Sequence, residues 1–385
     1  MTPCTLDPPP RVSAPLGNLD PHGFLRRYWH KRPLLVRQAI PGFSGPFSAR
    51  DLFELAARDD VESRIVIRDG SKWTLEHGPF RRSHLKAMPS RNWTLLVQGV
   101  NRVSADGDAL LRGFAFLPYA RLDDLMVSYA APGGGVGPHL DSYDVFLLQG
   151  FGRRRWRYGR QKSVALKPRL PLKILRQFDP ERDDTLGPGD MLYLPPHVAH
   201  DGVAREACTT YSIGFRAPDG NELGAAFLDF LRDELDLAGR YEDADLAPVR
   251  APAMIDRAMQ QRFARMLKPV SWNGATIARF IGCWLSEPKP DAVFEPPRPP
   301  TPQSVFLRRL MKHGARLDLH TQLLYDTTHV YINGFALAWP ATDRGMLRRL
   351  ANDRAIAASA VDGVPARTAA LLYNWYRDGY LHTGA

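Results

Sequence analysis

A β-rich first half closed into a sandwich or barrel, a helical middle and a small mixed C-terminal part are what this sequence predicts. Three observations predict it. Short alternating or wholly apolar runs recur through residues 1–218, separated by Gly and Pro turn signals. A single apolar stripe at helical spacing follows them. Beyond a proline-rich stretch, an Asn-Gly pair sits between two β-like runs flanked by helical patterns.

The elements follow in order. A helix is expected over Asp20–Trp29, with Asp20 as N-cap and Pro21 at the first helical position. Arg64–Arg68 alternates and ends at Asp69-Gly70. Trp93–Val97, Leu125–Ala130, Val145–Gln149, Met191–Leu194 and Thr209–Phe215 are the further strands. Leu223, Phe227, Phe230, Leu231 and Leu235 make the stripe of the first middle helix, and Ile255–Leu267 and Ala275–Leu285 read as two more. A proline-rich linker, Pro288–Pro302, should be extended and semi-rigid. After it, Phe306–Lys312, Leu347–Ala351 and Ala369–Tyr376 are helical, and His329–Ile332 with Phe335–Trp339 forms a hairpin through a type I′ turn at Asn333-Gly334. This combination resembles a winged helix. Residues 1–218, 219–300 and 301–385 are therefore read as three parts.

Composition narrows the function classes. With 44% apolar and 24% charged residues among 385, the chain has ample core and is not a disordered segment. No run approaches the length of a membrane span. Met1–Gly17 is proline-rich, without a basic patch leading into an apolar run, and is not read as a secretory signal. Three scattered cysteines, Cys4, Cys208 and Cys283, argue against a disulfide framework and for a reducing, cytoplasmic setting. The net charge of +10 suits nucleic-acid or ribosomal surroundings, and it is uneven: +9 in the first part, −3 in the second, +4 in the third.

The chemistry concentrates in two stretches. Pro132-Gly133-Gly134-Gly135-Val136-Gly137-Pro138-His139-Leu140-Asp141 places His139 and Asp141 two residues apart, on one face of an extended chain. Imidazole plus carboxylate is two thirds of a 2-His-1-carboxylate facial triad. Gly187-Pro188-Gly189-Asp190, a strand, Pro195-Pro196 and then His197 and His200 look like a second cupin motif. His200 is the expected third ligand, with His197 as the competing choice. In the run Arg153, Arg154, Arg155, Arg157, alternation puts Arg154 on the face of Gly152 and Trp156, opposite the other three. A lone inward arginine suits a buried carboxylate; a buried one without a partner would be costly. On Asp124–Ser128, the residues Asp124, Met126 and Ser128 share a face. Tyr143 continues the parity of His139 and Asp141, and Ser212 lies on the closing strand. Exposed turn or core roles are the alternatives for Asp124, Met126 and Tyr143. The remaining histidines, such as His22, His84 and His320, show no ligand spacing, and Cys208 reads as a small buried hydrophobe.

Together, His139-Leu140-Asp141, Gly152-Arg153-Arg154-Arg155-Trp156, the distal His200 and Tyr211-Ser212-Ile213-Gly214-Phe215-Arg216-Ala217-Pro218 resemble the JmjC 2-oxoglutarate oxygenases, and within them the bacterial ribosomal oxygenases. Arg154 stands where most JmjC proteins have lysine. The resemblance implies a double-stranded β-helix of the cupin/JmjC type with flanking helices, a helical dimerisation segment and a C-terminal winged helix. It implies Fe(II) on His139, Asp141 and His200, with 2-oxoglutarate as co-substrate held by Arg154 and Ser128. It also implies hydroxylation of an arginine β-carbon in large-subunit ribosomal protein L-sixteen. Asp124, Met126, Tyr143 and Ser212 are then the candidates for contact with that substrate. The expected partners are this ribosomal protein and a second copy of the chain, without a membrane.

Four other readings compete. A histidyl hydroxylase of another ribosomal protein would share every motif. A cupin-plus-winged-helix transcription regulator is disfavoured by the modest +4 of residues 301–385, so sequence-specific DNA binding is not expected. A metal-independent cupin would not need the intact His–Asp–His set. A lyase or isomerase on the same fold would not need Arg154 with Ser128.

Overall fold

Strands that are apolar on both faces need cover on both sides, and the first part of this chain supplies it. The computed structural model describes residues 14–235, 237–299, 301–339, 344–361 and 363–384; residues 1–13, with Cys4, lie outside them. The described strands of the first part are β1 (Leu34–Val36), β2 (Ser63–Asp69), β3 (Lys72–His77), β4 (Trp93–Val97), β5 (Leu122–Ala130), β6 (Val145–Gln149), β7 (Arg154–Gly159), β8 (Arg182–Leu186), β9 (Met191–Leu194), β10 (Ala199–Ala204) and β11 (Cys208–Phe215). They make an eight-stranded antiparallel sheet, β1-β9-β6-β11-β5-β4-β2-β3, and a three-stranded one, β10-β7-β8.

Period two sorts the large sheet into two faces. Leu95, Val97, Leu125, Val127, Phe146, Leu148, Tyr193, Tyr211 and Ile213 join one core with helix residues such as Phe24, Leu52 and Leu111. Val145, Leu147, Leu192 and Leu194 point the other way and meet Trp156, Tyr158 and Leu186 of the small sheet. The second core lines the inside of the double-stranded β-helix. Every residue of β6 is therefore buried, which is why Val145–Leu148 reads as an unbroken apolar run before Gln149. Of the strands that the pattern missed, which include β1 and β3, β8 and β10 have physical reasons. β8 is a polar edge strand, and β10 carries Gly202, where a Cβ would stand 2.6 Å from the Trp156 ring.

The expected helix at Asp20 runs Pro21–Arg27, and the Asp20 side chain accepts from the Gly23 N–H at 2.9 Å. Two compact units emerge. The first takes in the residues through Ala217, Lys289–Thr321 and the chain from 344 on. Its later residues form helices Gln303–His313, Arg344–Asp353 and Ala366–Arg377 around a small sheet with Ala315–Leu317 at its centre. Buried Arg354 ties this part to the barrel side: its guanidinium donates to the Thr321 and Asp318 carbonyls and stands 3.4 Å from Asp108. The linker is held rather than free, with Asp291 bonded twice by Arg102 at 2.7 and 2.9 Å and Lys289 paired with Asp123.

The second unit, Pro218–Pro288 with Gln322–Trp339, departs from the expected grouping of the hairpin. The turn is type I′, with φ of 49° at Asn333 and 90° at Gly334. The hairpin packs on helix Gly274–Ser286, where Gly282 leaves room for the Tyr331 ring and Ser286 accepts from the Gly334 N–H. The stripe on helix Gly220–Glu234 is also partly used inside the chain. Phe227 and Phe230 lie 5.1 and 5.5 Å from the Phe280 ring, while Leu223 stays 40% exposed.

Phe146 is the hub of the outer core, with ring contacts to Phe24, Phe114, Tyr193 and Phe215. Phe146→Ala is expected to cost about 3–5 kcal/mol in urea unfolding, the range for an aromatic deleted from a packed core.

Candidate metal and co-substrate site

The glycine run builds the site from the backbone. A Cβ on Gly134 would lie 2.1 Å from the Trp93 carbonyl oxygen, and one on Gly135 2.4 Å from that of Gly202. Only glycine lets the chain pass this close between the sheets. Gly133 N–H donates to the Ala204 carbonyl and Ala204 N–H to that of Gly134, so the run pairs with β10. Pairing continues to His139 and His200, which exchange both main-chain hydrogen bonds, at 3.0 and 2.8 Å. Their rings face each other with centroids 4.2 Å apart.

The ring nitrogens are assigned by their partners. His139 Nδ1 lies 2.9 Å from the Gly137 carbonyl and His200 Nδ1 3.1 Å from that of Val198. A carbonyl only accepts, so both Nδ1 atoms carry a proton, which leaves Nε2 as the ligand atom of each ring in its neutral form. His200 Nε2 stands 3.7 Å from an Asp141 oxygen. Donor atoms of His139, Asp141 and His200 all lie within 4.8 Å of one another, and they could hold a metal ion. Burial, aided by the His139 charge, holds the His200 imidazole down to about 3, in the neutral form a metal requires. Burial pushes the Asp141 carboxyl up, against the charges of His139 and Arg64. His197 is exposed at φ 63° and contributes its main-chain N–H to the Asp141 carbonyl, outside the donor set.

Arg154 is turned inward and buried, while Arg153, Arg155 and Arg157 pair outside with Glu206, Asp183 and Asp201. Its Nη1 donates to Ser128 Oγ and Thr210 Oγ1, both at 3.1 Å. Its Nε has no acceptor, and among the described residues no carboxylate stands within ion-pair distance. A buried guanidinium left this way fits an acid entering from outside. The donor set suits a divalent transition-metal ion with open positions, and the orphan Nε suits a co-substrate carboxylate.

Asp124 is not the exposed turn residue that was one alternative. It is 7% exposed, and its Oδ2 accepts from Gln98 Nε2 at 2.5 Å and Gly99 N–H at 3.1 Å. Burial, then the neighbouring Asp123, pushes its carboxyl up. Oδ1 looks toward Gly214, whose missing side chain leaves space beside it. Met126 lies across from Ser212, and Ser128 across from Thr210, so all four share the inner face. Tyr143 sits in a bend rather than a strand and is 39% exposed. Sequence reasoning missed Thr210, Gln149 and Gln98. Thr210 has the parity of Ser212, and Gln149 that of Leu147; Gln98 follows its strand in a loop and carries no signal.

Known proteins are similar to this chain. A family model described as JmjC domain matches residues 109–223, and one described as ROXA-like winged helix matches residues 270–382. The ribosomal protein uL16 3-hydroxylase of Escherichia coli strain K12 is 40% identical over 282 residues, 72% of this chain and 74% of that one. A probable ribosomal oxygenase of Haemophilus influenzae is 39% identical over 54% of this chain and 52% of its own. An X-ray structure of E. coli YcfD superposes with a TM-score of 0.84 at 34% identity, covering 95% of this chain and 98% of that one. The structure of YcfD in complex with cobalt and 2-oxoglutarate gives 0.81 at the same identity and coverage.

Arg154→Ala is expected to weaken 2-oxoglutarate binding by at least about 30-fold, from the ~2 kcal/mol or more lost with one partner of a buried charge pair. Arg153→Ala, on the outer face, should stay within about two-fold. Calorimetric titration of the metal-loaded protein measures both; similar losses in the two variants would count against an inward role for Arg154.

Proposed function

Because the chain belongs to the JmjC ribosomal oxygenases, we propose that it hydroxylates an arginine side chain of large-subunit ribosomal protein uL16 at the β-carbon, using Fe(II) and 2-oxoglutarate. The observation that carries this reading is a buried guanidinium with no acid of its own, in the same barrel as a three-donor metal face. His139, Asp141 and His200 would hold the iron, leaving one side of it open. Bound there, iron would use one dioxygen to convert 2-oxoglutarate into succinate and CO2 and to place the second oxygen atom in a substrate C–H bond.

The chain's own residues do the rest. Arg154 takes the far carboxylate of the co-substrate, and Ser128 holds the Arg154 fork in place. The apolar wall of Val145, Leu147, Leu192 and Leu194 keeps water out. Asp124 takes the substrate guanidinium through Oδ1, while Gln98 and Gly99 fix its other oxygen. A cation there offsets the burial that pushes this carboxyl up. Met126 and Ser212 line the approach, and Tyr143 stands at its edge. In this reading residues 1–218 are the catalytic part, 219–300 the dimer-forming part and 301–385 the winged helix, which serves the substrate rather than DNA. Both substrate and enzyme are then cytoplasmic; no described helix is long and apolar enough to cross a membrane.

Mass spectrometry of ribosomal proteins from cells with and without this chain tests the reading. One added oxygen on an arginine of uL16 is expected, and one on a histidine of another protein would replace the arginyl assignment. His139→Ala and Asp141→Ala should each abolish the modification at unchanged melting temperature.

The second copy is argued from the second unit. Phe263, Leu267, Trp272, Ile277 and Ile281 are 49, 60, 52, 40 and 41% exposed, an apolar surface unusual for a lone subunit. Ile277→Asp with Ile281→Asp should yield monomers in sedimentation. These sites are a better probe than Phe227 and Phe230, which pack inside the chain.

A further inference from the structure

We propose that Gln149 is a positioning residue that sets the orientation of Arg154 for the co-substrate's far carboxylate; the inference rests on the reading of the site given above. Gln149 ends β6 and is fully buried. It lies opposite Thr210 of β11, which lies opposite Ser128 of β5, so the three side chains stand in a row on the inner face.

The direction of every hydrogen bond in this row is determined. Gln149 Nε2 lies 3.4 Å from the Phe151 carbonyl and 3.2 Å from that of Gly152, in the turn that leads into β7. Both are acceptors only, so the amide nitrogen faces the turn and Oε1 faces Thr210. The Thr210 hydroxyl donates its single proton to Oε1 at 3.2 Å. It then has only lone pairs to offer Arg154 Nη1, at 3.1 Å. Ser128 is arranged alike, since its hydroxyl donates to the Thr210 carbonyl at 3.4 Å and accepts from the same Nη1.

Nη1 is thus pinned between two hydroxyls that cannot turn to donate, and Nε is left without an acceptor. Gln149 makes this choice. With its amide oxygen removed, the Thr210 proton is free to rotate toward the guanidinium side, where it repels Nη1 and opens alternative positions for the fork. The relay also closes on itself: the turn that orients the amide carries the Gly152 carbonyl, two residues before Arg154. Hydrogen bonds in such buried chains reinforce one another, so losing one link loosens the whole.

The test is calorimetric titration of 2-oxoglutarate into the full-length protein loaded with Zn(II), which prevents turnover. Gln149→Met keeps the size and removes both hydrogen-bonding ends. It should raise Kd about ten-fold, as for one buried hydrogen bond. In the Fe(II) enzyme, KM for 2-oxoglutarate should rise in step while kcat changes by less than about two-fold and Zn(II) affinity stays put. Thr210→Val should behave alike, Thr210→Ser should retain wild-type affinity, and Gln149→Met with Thr210→Val should be no worse than the worse single variant. Wild-type affinity in Gln149→Met, or additive losses in the pair, overturns the proposal. If Gln149→Met does not fold, the contrast between Thr210→Val and Thr210→Ser decides, and equal affinities overturn it. Failure of the wild-type protein to bind 2-oxoglutarate defeats the site reading and the relay together; normal binding with insensitive variants defeats the relay alone.

Discussion

The exchange of main-chain hydrogen bonds between His139 and His200 is the constraint on which the rest of the site depends. It brings together two residues 61 positions apart and sets their rings at contact distance. The glycine run before His139 lets the chain reach this pairing, since a side chain at Gly134 would strike the Trp93 carbonyl of β4 and one at Gly135 the Gly202 carbonyl of β10. Carbonyls of Gly137 and Val198 then hold each imidazole by Nδ1, and the Nε2 atoms converge with Asp141. The metal face is thus a consequence of backbone pairing, with the side chains held in place by main-chain acceptors.

A second constraint is the charge inside the barrel. Burying Arg154 without an acid costs stability, and two hydroxyls recover only part of the lost hydration. The fold can carry this cost because large apolar cores cover both faces of the main sheet. Affinity for an incoming dicarboxylic acid is the other side of the same energetic deficit. Asp124 repeats the logic with opposite sign: a buried carboxyl, half satisfied, facing a gap left by Gly214. One uncompensated cation and one partly satisfied carboxyl thus give the inner surface groups of both signs.

The parts that follow the barrel are bound to it by unequal means. Arg354 sits in a buried set of carbonyls and beside Asp108, whereas the linker is held by ion pairs at Asp123 and Arg102, partly open to solvent. Exposed pairs of this kind contribute little and are screened by salt. The linker's attachment is therefore expected to be the more sensitive of the two to ionic strength.

Much of this was legible from the sequence, because the relevant signals are local. Period two placed Arg154 opposite Arg153 and Arg155, and put Asp124, Met126 and Ser128 on one face; turn chemistry fixed the type I′ hairpin and the Asp20 cap. His-x-Asp and a distal histidine after a Pro-Gly-Asp turn marked the metal face. The tertiary structure adds a reason to the sequence's preference for His200 over His197, since the β10 pairing sets the His200 imidazole beside Asp141. It also decided where the hairpin packs, because Gly282 and Tyr331 fit each other across a distance that no periodicity records. Phe227 and Phe230 turned out to be spent within the chain, as a stripe of apolar residues specifies that it must be covered but not by what. The Gln149–Thr210–Arg154 row is the clearest case. Each residue looks ordinary in its own strand, and the hydrogen-bond directions that join them exist only once β5, β6 and β11 lie side by side.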